Sequence, residues 1–162
     1  MSQLHDTLMQ YLMKTDMGPV EDMGEAVRVY TRGDNAKHQL LYTMDDTLEH
    51  FKVYVVFPHM VPKEKRGKMA KFLCRMNCDL PLGCCEMDWR IGSVRYRVGV
   101  DVEGGKLTEM MIHNMTGTAV MVMDKYLPGM MSLLFGDCKV KEAIRKVEGD
   151  PAPLPAFLAE MG

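Results

Sequence analysis

Hydrophobic and polar residues alternate along several short segments of the chain, which is the pattern of β-strands that bury one face. Residues 25–32 alternate in this way, a second run passes through Leu40, Tyr42 and Met44, and residues 51–57 form a third. Because β-branched and aromatic residues crowd the third segment, we predict that it lies centrally in a sheet. The short connections between the three segments predict an antiparallel meander.

A second pair of alternating segments follows Pro81 and Gly83, with a turn that begins at Ile91. Its apolar positions are Cys85, Met87 and Trp89, then Val94, Tyr96, Val98 and Val100. Arg95 and Arg97 stand between the apolar positions of the last segment. We predict a hairpin in which these two arginines face water or an acidic surface.

Elsewhere, apolar residues recur every three or four positions, which predicts amphipathic helices. Ser2 is placed to cap the first helix, Pro62 begins a second that should end near Asn77, and Thr108 caps a third. Pro128 lacks a backbone donor and is expected to kink or break the third helix. The apolar stripes are Leu4, Leu8, Tyr11 and Leu12; Met69, Phe72, Leu73 and Met76; Met111, Met115, Ala119, Val122 and Tyr126; and Val140, Ala143, Ile144 and Val147.

The order of the main elements is therefore α-β-β-β-α-β-β-α, which predicts an α+β fold with an antiparallel sheet rather than a doubly wound parallel one. We interpret residues 1–149 as a single domain, because a chain of 162 residues can bury one substantial core. Residues 150–162 form a proline-rich tail, and the three prolines within 151–155 favour an extended chain there.

Composition narrows the range of functions. The chain is 47% hydrophobic and 26% charged, as in an ordinary folded protein, and its net charge of −2 offers no overall field for nucleic acid or an anionic membrane. No apolar run approaches the ~20 residues needed to cross a bilayer, and the first residues do not resemble a secretory signal. Five cysteines, an odd number, are expected to stay as free thiols in a reducing compartment. We therefore predict a cytoplasmic protein that does not bind a membrane, and the overall charge disfavours nucleic acid as its partner.

Two features of the composition leave alternatives open. The 18 methionines either fill an irregular core or line an adaptable groove for apolar partners. Six cations crowd the second helix, and they form either a solvated helix face or a surface for an acidic partner or a phosphate backbone. These cations are Lys63, Lys65, Arg66, Lys68, Lys71 and Arg75.

Cysteine spacing suggests one alternative function. Cys74 and Cys78 are four residues apart on the second helix and could face one side. Cys84 and Cys85 are adjacent on a strand and point to opposite faces, so only one of them can join that pair. A thiol-based zinc or redox site built on Cys74, Cys78 and Cys85, completed by a distant histidine, is the alternative to buried, inert cysteines.

No spacing in the chain matches a known catalytic arrangement. The five histidines are scattered, and the chain contains no G-x-S-x-G or H-E-x-x-H motif. The glycines of Gly104-Gly105-Lys106 lack the companions that a phosphate-binding loop needs. We therefore expect no catalytic residue, no cofactor and no enzymatic activity.

Three segments carry a resemblance to a known family. Residues 53–58 read Val-Tyr-Val-Val-Phe-Pro, residues 77–88 read Asn-Cys-Asp-Leu-Pro-Leu-Gly-Cys-Cys-Glu-Met-Asp, and residues 124–128 read Asp-Lys-Tyr-Leu-Pro. In these segments the chain resembles the YbjN family, whose members are labelled as bacterial regulators of sensory transduction. The resemblance implies a fold similar to that of type III secretion chaperones, which are α+β, usually dimeric, and bind extended segments of partner proteins without catalysis.

The resemblance and the pattern together predict a homodimeric, non-catalytic adaptor of a chaperone-like or regulatory kind. An exposed sheet surface or an edge strand would hold a segment of a protein partner. Neither the residues nor the resemblance identifies that partner.

Overall fold

Six antiparallel strands form one sheet in the computed structural model, which describes residues 2–153 and 156–160. The strands are β1 (Glu21–Asp22), β2 (Ala26–Arg32), β3 (Lys37–Asp45), β4 (His50–Val56), β5 (Cys84–Asp88) and β6 (Ser93–Asp101). Their order across the sheet is β1-β2-β3-β4-β6-β5, so β4 lies centrally, as the sequence predicts.

Five helices accompany the sheet in the described part of the chain. They are α1 (Gln3–Met13), α2 (Lys63–Asn77), α3 (Glu109–Phe135), α4 (Val140–Glu148) and α5 (Ala156–Ala159). The long helix α3 contacts β4 and β6, α1 packs against α3, and α2 packs against β5. Helix α4 lies against both α2 and α3, which places it in a second layer.

Alternate residues of the strands are buried beneath these helices. They include Val27, Val29, Leu40, Tyr42, Phe51, Val53, Val55, Val94, Tyr96 and Val98. The hydroxyl groups of Tyr42 and Thr116 lie 3.0 Å apart, which joins the buried face of β3 to α3 by a hydrogen bond. The predicted element order is confirmed, with the two-residue β1 as an additional edge strand, and so is the alternation except at Trp89. That residue, predicted as an apolar strand position, lies in the turn after β5 and is exposed.

The predicted effect of Pro128 is partly wrong, because α3 is not broken there but continues to Phe135. A proline at this position cannot donate to the carbonyl oxygen of Asp124, four residues earlier. The side-chain Nδ2 of Asn35 donates to that oxygen instead, at 3.0 Å. An amide from the β2–β3 turn thus replaces the missing hydrogen bond of the helix.

The carboxylate of Asp124 binds the same turn. It accepts hydrogen bonds from the backbone amides of Asp34, Asn35 and Ala36 at 3.0–3.2 Å. Its Oδ1 also lies 2.7 Å from Nε2 of the buried His38. The middle of α3 is therefore fixed to the end of the β2–β3 hairpin by one side chain.

The close approach of the β2–β3 turn to Asp124 requires a glycine, Gly33. The same contacts lower the pKa of the Asp124 carboxyl group. A Cβ atom at Gly33 would collide with the Asp124 carboxylate and crowd Nε2 of His38. Burial by itself raises the pKa of Asp124. The hydrogen bonds from His38 and from the backbone amides of Asn35 and Asp34 outweigh burial and hold that pKa below its ordinary value.

The C-terminal tail is described only in part. Residues 151–153 have no regular secondary structure and Ala156–Ala159 form α5, whereas Leu154 and Pro155, part of the predicted extended segment, lie outside the described residues. The domain boundary at residue 149 stays a prediction. Among the described helices, none has the length and hydrophobicity required to cross a membrane.

We expect Asp124→Asn to lower the free energy of unfolding by about 3 kcal/mol, because the new amide faces backbone donors that need an acceptor. Denaturant unfolding at neutral pH measures the loss. Asp137→Asn, which changes an exposed carboxylate, is the matched control and should stay within about 0.5 kcal/mol of the wild type.

Wild type and Asp124→Asn also test the lowered pKa of the Asp124 carboxyl group. The contribution of Asp124 is fully present above the ordinary carboxyl pKa of about 3.9, and it is lost as the pH falls through the lower value in the folded state. The stability difference between wild type and Asp124→Asn should therefore shrink in acid. A difference that stays constant there contradicts this account.

Candidate functional site

The sheet face opposite the helices is the candidate site, and we call it the open face. Its residues alternate with the buried ones, and none of them is buried. They include Arg28, Tyr30 and Arg32 of β2; Lys37, Gln39, Leu41 and Thr43 of β3; Lys52, Tyr54 and Val56 of β4; Arg95 and Arg97 of β6; and Cys84 and Glu86 of β5. Acidic residues share the face by the same alternation: Glu21 and Asp88 at its sides, and Asp45 and Asp101 on either side of His50 beyond Lys52.

The middle of the open face is aromatic and aliphatic. Leu41 is paired directly with Tyr54 across β3 and β4, while Gln39 is paired with both Tyr30 and Val56 on its two sides. All five residues are half-buried, because neighbouring side chains on a sheet shield one another. We call Tyr30, Leu41, Tyr54 and Val56 the apolar centre.

Six cations surround the apolar centre. Arg32 and Lys37 are paired at one end, and Lys52 is paired with Thr43 at the other. Arg28 flanks Leu41 on β2, and on β6 Arg97 flanks Tyr54 while Arg95 flanks Val56. We call these residues the cationic ring: Arg28, Arg32, Lys37, Lys52, Arg95 and Arg97.

Three arginines of the ring are oriented by carboxylates at the sides of the sheet. Arg28 binds Glu21 at 2.8 Å, and Arg95 and Arg97 share Glu86 at 2.6 and 3.2 Å. These pairs are partly exposed, so each adds little stability. Their effect is to hold the guanidinium groups over the face.

The remaining ring cations, Arg32, Lys37 and Lys52, form no ion pair with a carboxylate in the described residues. The Lys37 ammonium lies 5.0 Å from the ring centroid of Tyr30. The Arg95 guanidinium lies 4.9 Å from that of Tyr54 in the same way. Cations therefore occupy the outer faces of both aromatic rings.

The sheet edges are less accessible than the open face. Asn77 accepts from the backbone amide of Cys85 at 2.8 Å and donates to its carbonyl at 3.0 Å, so its side chain occupies the middle of the β5 edge. At the other edge β1 has only two residues, and Gly18 donates to the carbonyl of Tyr30 just beyond it. A partner strand would find few free backbone groups at either edge.

The three cysteines of the alternative function differ in environment. Cys85 is buried, and burial raises the pKa of its thiol, whereas Cys74 and Cys78 are exposed on α2. Within residues 2–153 and 156–160, no group of three or more His, Cys, Asp or Glu side chains is placed to hold a metal ion. The described geometry therefore gives no support to a site that uses all three thiols.

Half of the cations on α2 serve the fold. Lys65 donates to the carbonyl of Leu134 at 2.6 Å, and Arg75 pairs with Asp79 and Glu148. The buried Arg66 donates to three carbonyl groups. Those acceptors belong to Val61, Trp89 and Arg90. Lys63, Lys68 and Lys71 are exposed, which leaves a much weaker basic surface than the sequence suggests.

The buried His38–Asp124 pair is absent from the sequence prediction, as are the cationic ring and the roles of Asn35 and Asn77. All oxygen atoms of Asp124 are engaged by the turn, so this His–Asp pair acts on structure. A nearby cavity of about 450 Å³ reaches Tyr11 and His113. The sequence did contain a signal for the cationic ring, because Arg, Lys and Tyr recur at the strand positions that alternate with the apolar ones.

A second exposed surface, which we call the apolar end, consists of Met60, Trp89, Ile91 and Phe135, whose exposed fractions are 63%, 59%, 55% and 65%. The amide of Val61 donates to the carbonyl of Gly92, which places the loop of Met60 beside the turn of Ile91. The Phe135 ring meets the edge of His59, with the centroids 4.9 Å apart. The four side chains thus belong to one end of the molecule.

Thiol accessibility is directly testable. Alkylation of the native protein with iodoacetamide should label Cys74 and Cys78, while Cys85 should react only after unfolding, because burial keeps its thiol neutral and unreachable. Mass spectrometry of peptides measures both rates. Protection of both Cys74 and Cys78 upon addition of zinc would revive the thiol-based alternative.

A family model named YbjN, described as "Putative bacterial sensory transduction regulator", matches residues 5–131. No curated protein and no solved structure matches the chain. The matched region includes every strand, the open face and Asp124, and it stops before Phe135 and α4. Because the match covers well over half of the sequence, the chain belongs to the YbjN family.

Proposed function

We propose that the protein is a non-catalytic regulatory adaptor, chaperone-like in its action, that holds a segment of a partner protein against the open face. The family description as regulators supports the regulatory part of the proposal. The observation that carries the binding part is the apolar centre, which lies on the face opposite the helices and is ringed by charged side chains. Protein interfaces commonly have an apolar middle and a polar rim.

The residue types also favour binding. Tyrosine and arginine dominate the most energetic positions of protein interfaces, and the open face presents both. The ion pairs with Glu21 and Glu86 fix the arginines in advance, which lowers the entropy lost when a partner binds. We place this activity in the cytoplasm, where the five free thiols would remain reduced.

We further propose that the protein forms a homodimer through the apolar end and not through the open face. A two-fold dimer brings the same patch of both copies together. On the open face this would bury the cations of both copies, and burying charges that lack a carboxylate partner, such as those of Arg32 and Lys37, is costly. The apolar end has no such penalty, and its exposed Trp89 and Phe135 would be covered.

Replacing Leu41, Tyr54 and Val56 by threonine removes three of the four residues of the apolar centre while keeping β-branched residues in the strands. We expect recovery of the partner to fall by at least about tenfold, the loss typical of removing interface hot spots. Quantitative affinity capture from the cell that makes the protein, followed by mass spectrometry, measures this. The melting temperatures of wild type and variant verify that both are folded.

The matched control is Met110→Gln with Met121→Gln, because both methionines are exposed on α3, away from the open face. The control should recover the same proteins as the wild type. Equal recovery by the threonine variant and the wild type contradicts the proposed binding face.

Trp89→Glu with Phe135→Glu should convert the homodimer to a monomer, since each dimer would bury four added charges. Sedimentation velocity measures the mass. Met13→Glu with Leu48→Glu, at exposed positions outside the apolar end, should remain dimeric. A wild type that is monomeric at micromolar concentration refutes the dimer, and a glutamate variant that stays dimeric refutes its location.

A further inference from the structure

We infer that the segment held by the open face is apolar in its middle and acidic at the end that meets Arg32 and Lys37. This inference rests on the proposed function and adds the chemistry of the partner. It follows from the arrangement of the cationic ring around the apolar centre, which distinguishes one class of ligand from the others.

The dimensions of the ring suit a short segment of chain. Arg28 and Arg97 are separated by three strand spacings, which is about 14 Å. Along the strands, Lys37 precedes Thr43 by six residues, or about 20 Å, and Thr43 is paired with Lys52. An extended segment of about six residues reaches from Lys37 to Lys52 across the apolar centre.

The charges of the cationic ring determine which side chains such a segment must carry. Two carboxylates, Glu21 and Glu86, pair with the ring, and they serve only its three arginines at the sides. At one end, Arg32 and Lys37 form no ion pair with a carboxylate in the described residues. At the other end, Lys52 lies diagonally beside Asp45 and Asp101, which oppose a further negative charge. A ligand with carboxylates at the end of Arg32 and Lys37 meets these two cations, while a neutral ligand would strip them of water without compensation.

Single-stranded nucleic acid fits the open face less well. It binds such sheets by stacking bases on exposed aromatic rings, and here Lys37 covers Tyr30 and Arg95 covers Tyr54. Beyond Lys52, Asp45 and Asp101 stand on either side of His50 and would repel a continuous phosphate backbone. A segment whose carboxylates are confined to the end at Arg32 and Lys37 avoids these two aspartates.

A fluorescent peptide of about eight residues tests the inference, with Glu and Asp at one end and Leu and Phe in the middle. We expect Arg32→Glu with Lys37→Glu to weaken its binding at least tenfold, roughly the effect of reversing close charge pairs at an interface. Lys68→Glu with Lys71→Glu changes the net charge equally on exposed positions of α2 and should leave the affinity within about twofold. Fluorescence anisotropy measures the affinities.

Two further probes complete the design. The same peptide with Gln and Asn in place of its acids should bind at least tenfold more weakly than the acidic one. An oligothymidine of similar length should fail to displace the acidic peptide. Equal binding of the neutral peptide, equal loss in the α2 control, or displacement by oligothymidine overturns the inference.

The peptide experiment can fail independently of the test of the proposed function. If the threonine variant loses its natural partner while the acidic peptide fails to bind the wild type, the binding face stands and the acidic chemistry is wrong. If neither the threonine changes nor the charge reversals alter any binding, both proposals are wrong.

Discussion

The fold depends on Asp124, which accepts hydrogen bonds both through its carboxylate and through its backbone carbonyl. The Asp124 side chain satisfies three amides of the β2–β3 turn, and its carbonyl oxygen, left without a helix donor by Pro128, accepts from Asn35. A proline that would normally damage a helix here frees an acceptor for the sheet. The centre of the longest helix is thereby fixed against a hairpin about 90 residues earlier in the chain, and Gly33 makes the approach possible.

Fixing α3 in this way determines which face of the sheet is covered. With α3 across β4 and β6, α1 beside it and α2 on β5, the helices share one side, and alternate strand residues are buried there. The other set of strand residues is left to meet solvent or a partner. Such a sheet must avoid pairing with other sheets, and Asn77 protects the β5 edge while the cationic ring keeps the open face hydrated.

Local patterns were sufficient to predict the element order, the central strand and the buried stripes, because each depends on residues close in sequence. Contacts between distant residues could not be read in the same way. Asp124 and Asn35 are 89 positions apart, so the sequence shows the proline but not the amide that compensates for it. Likewise, the sequence predicts one basic surface on α2 because it does not show that Arg66 and Arg75 bind distant groups.

The methionines divide between core and surface: Met69, Met76, Met115, Met123 and Met130 are buried, whereas Met13, Met23, Met60, Met110 and Met121 are exposed.

Strand pairing also explains how a chain of net charge −2 can surround an apolar centre with cations. Net charge is a property of the whole chain, whereas alternation and register fix the position of each side chain, and here six cations border four apolar residues on one face. The acids of that face lie farther out, at its sides and beyond Lys52. Without a partner, hydrated lysines and arginines protect the apolar centre from non-specific association. When a segment covers the face, those cations lose water, and carboxylates on the incoming segment are the groups that best replace it. In the proposed mode of binding, the charges that hydrate the free open face are thus the ones that select its ligand.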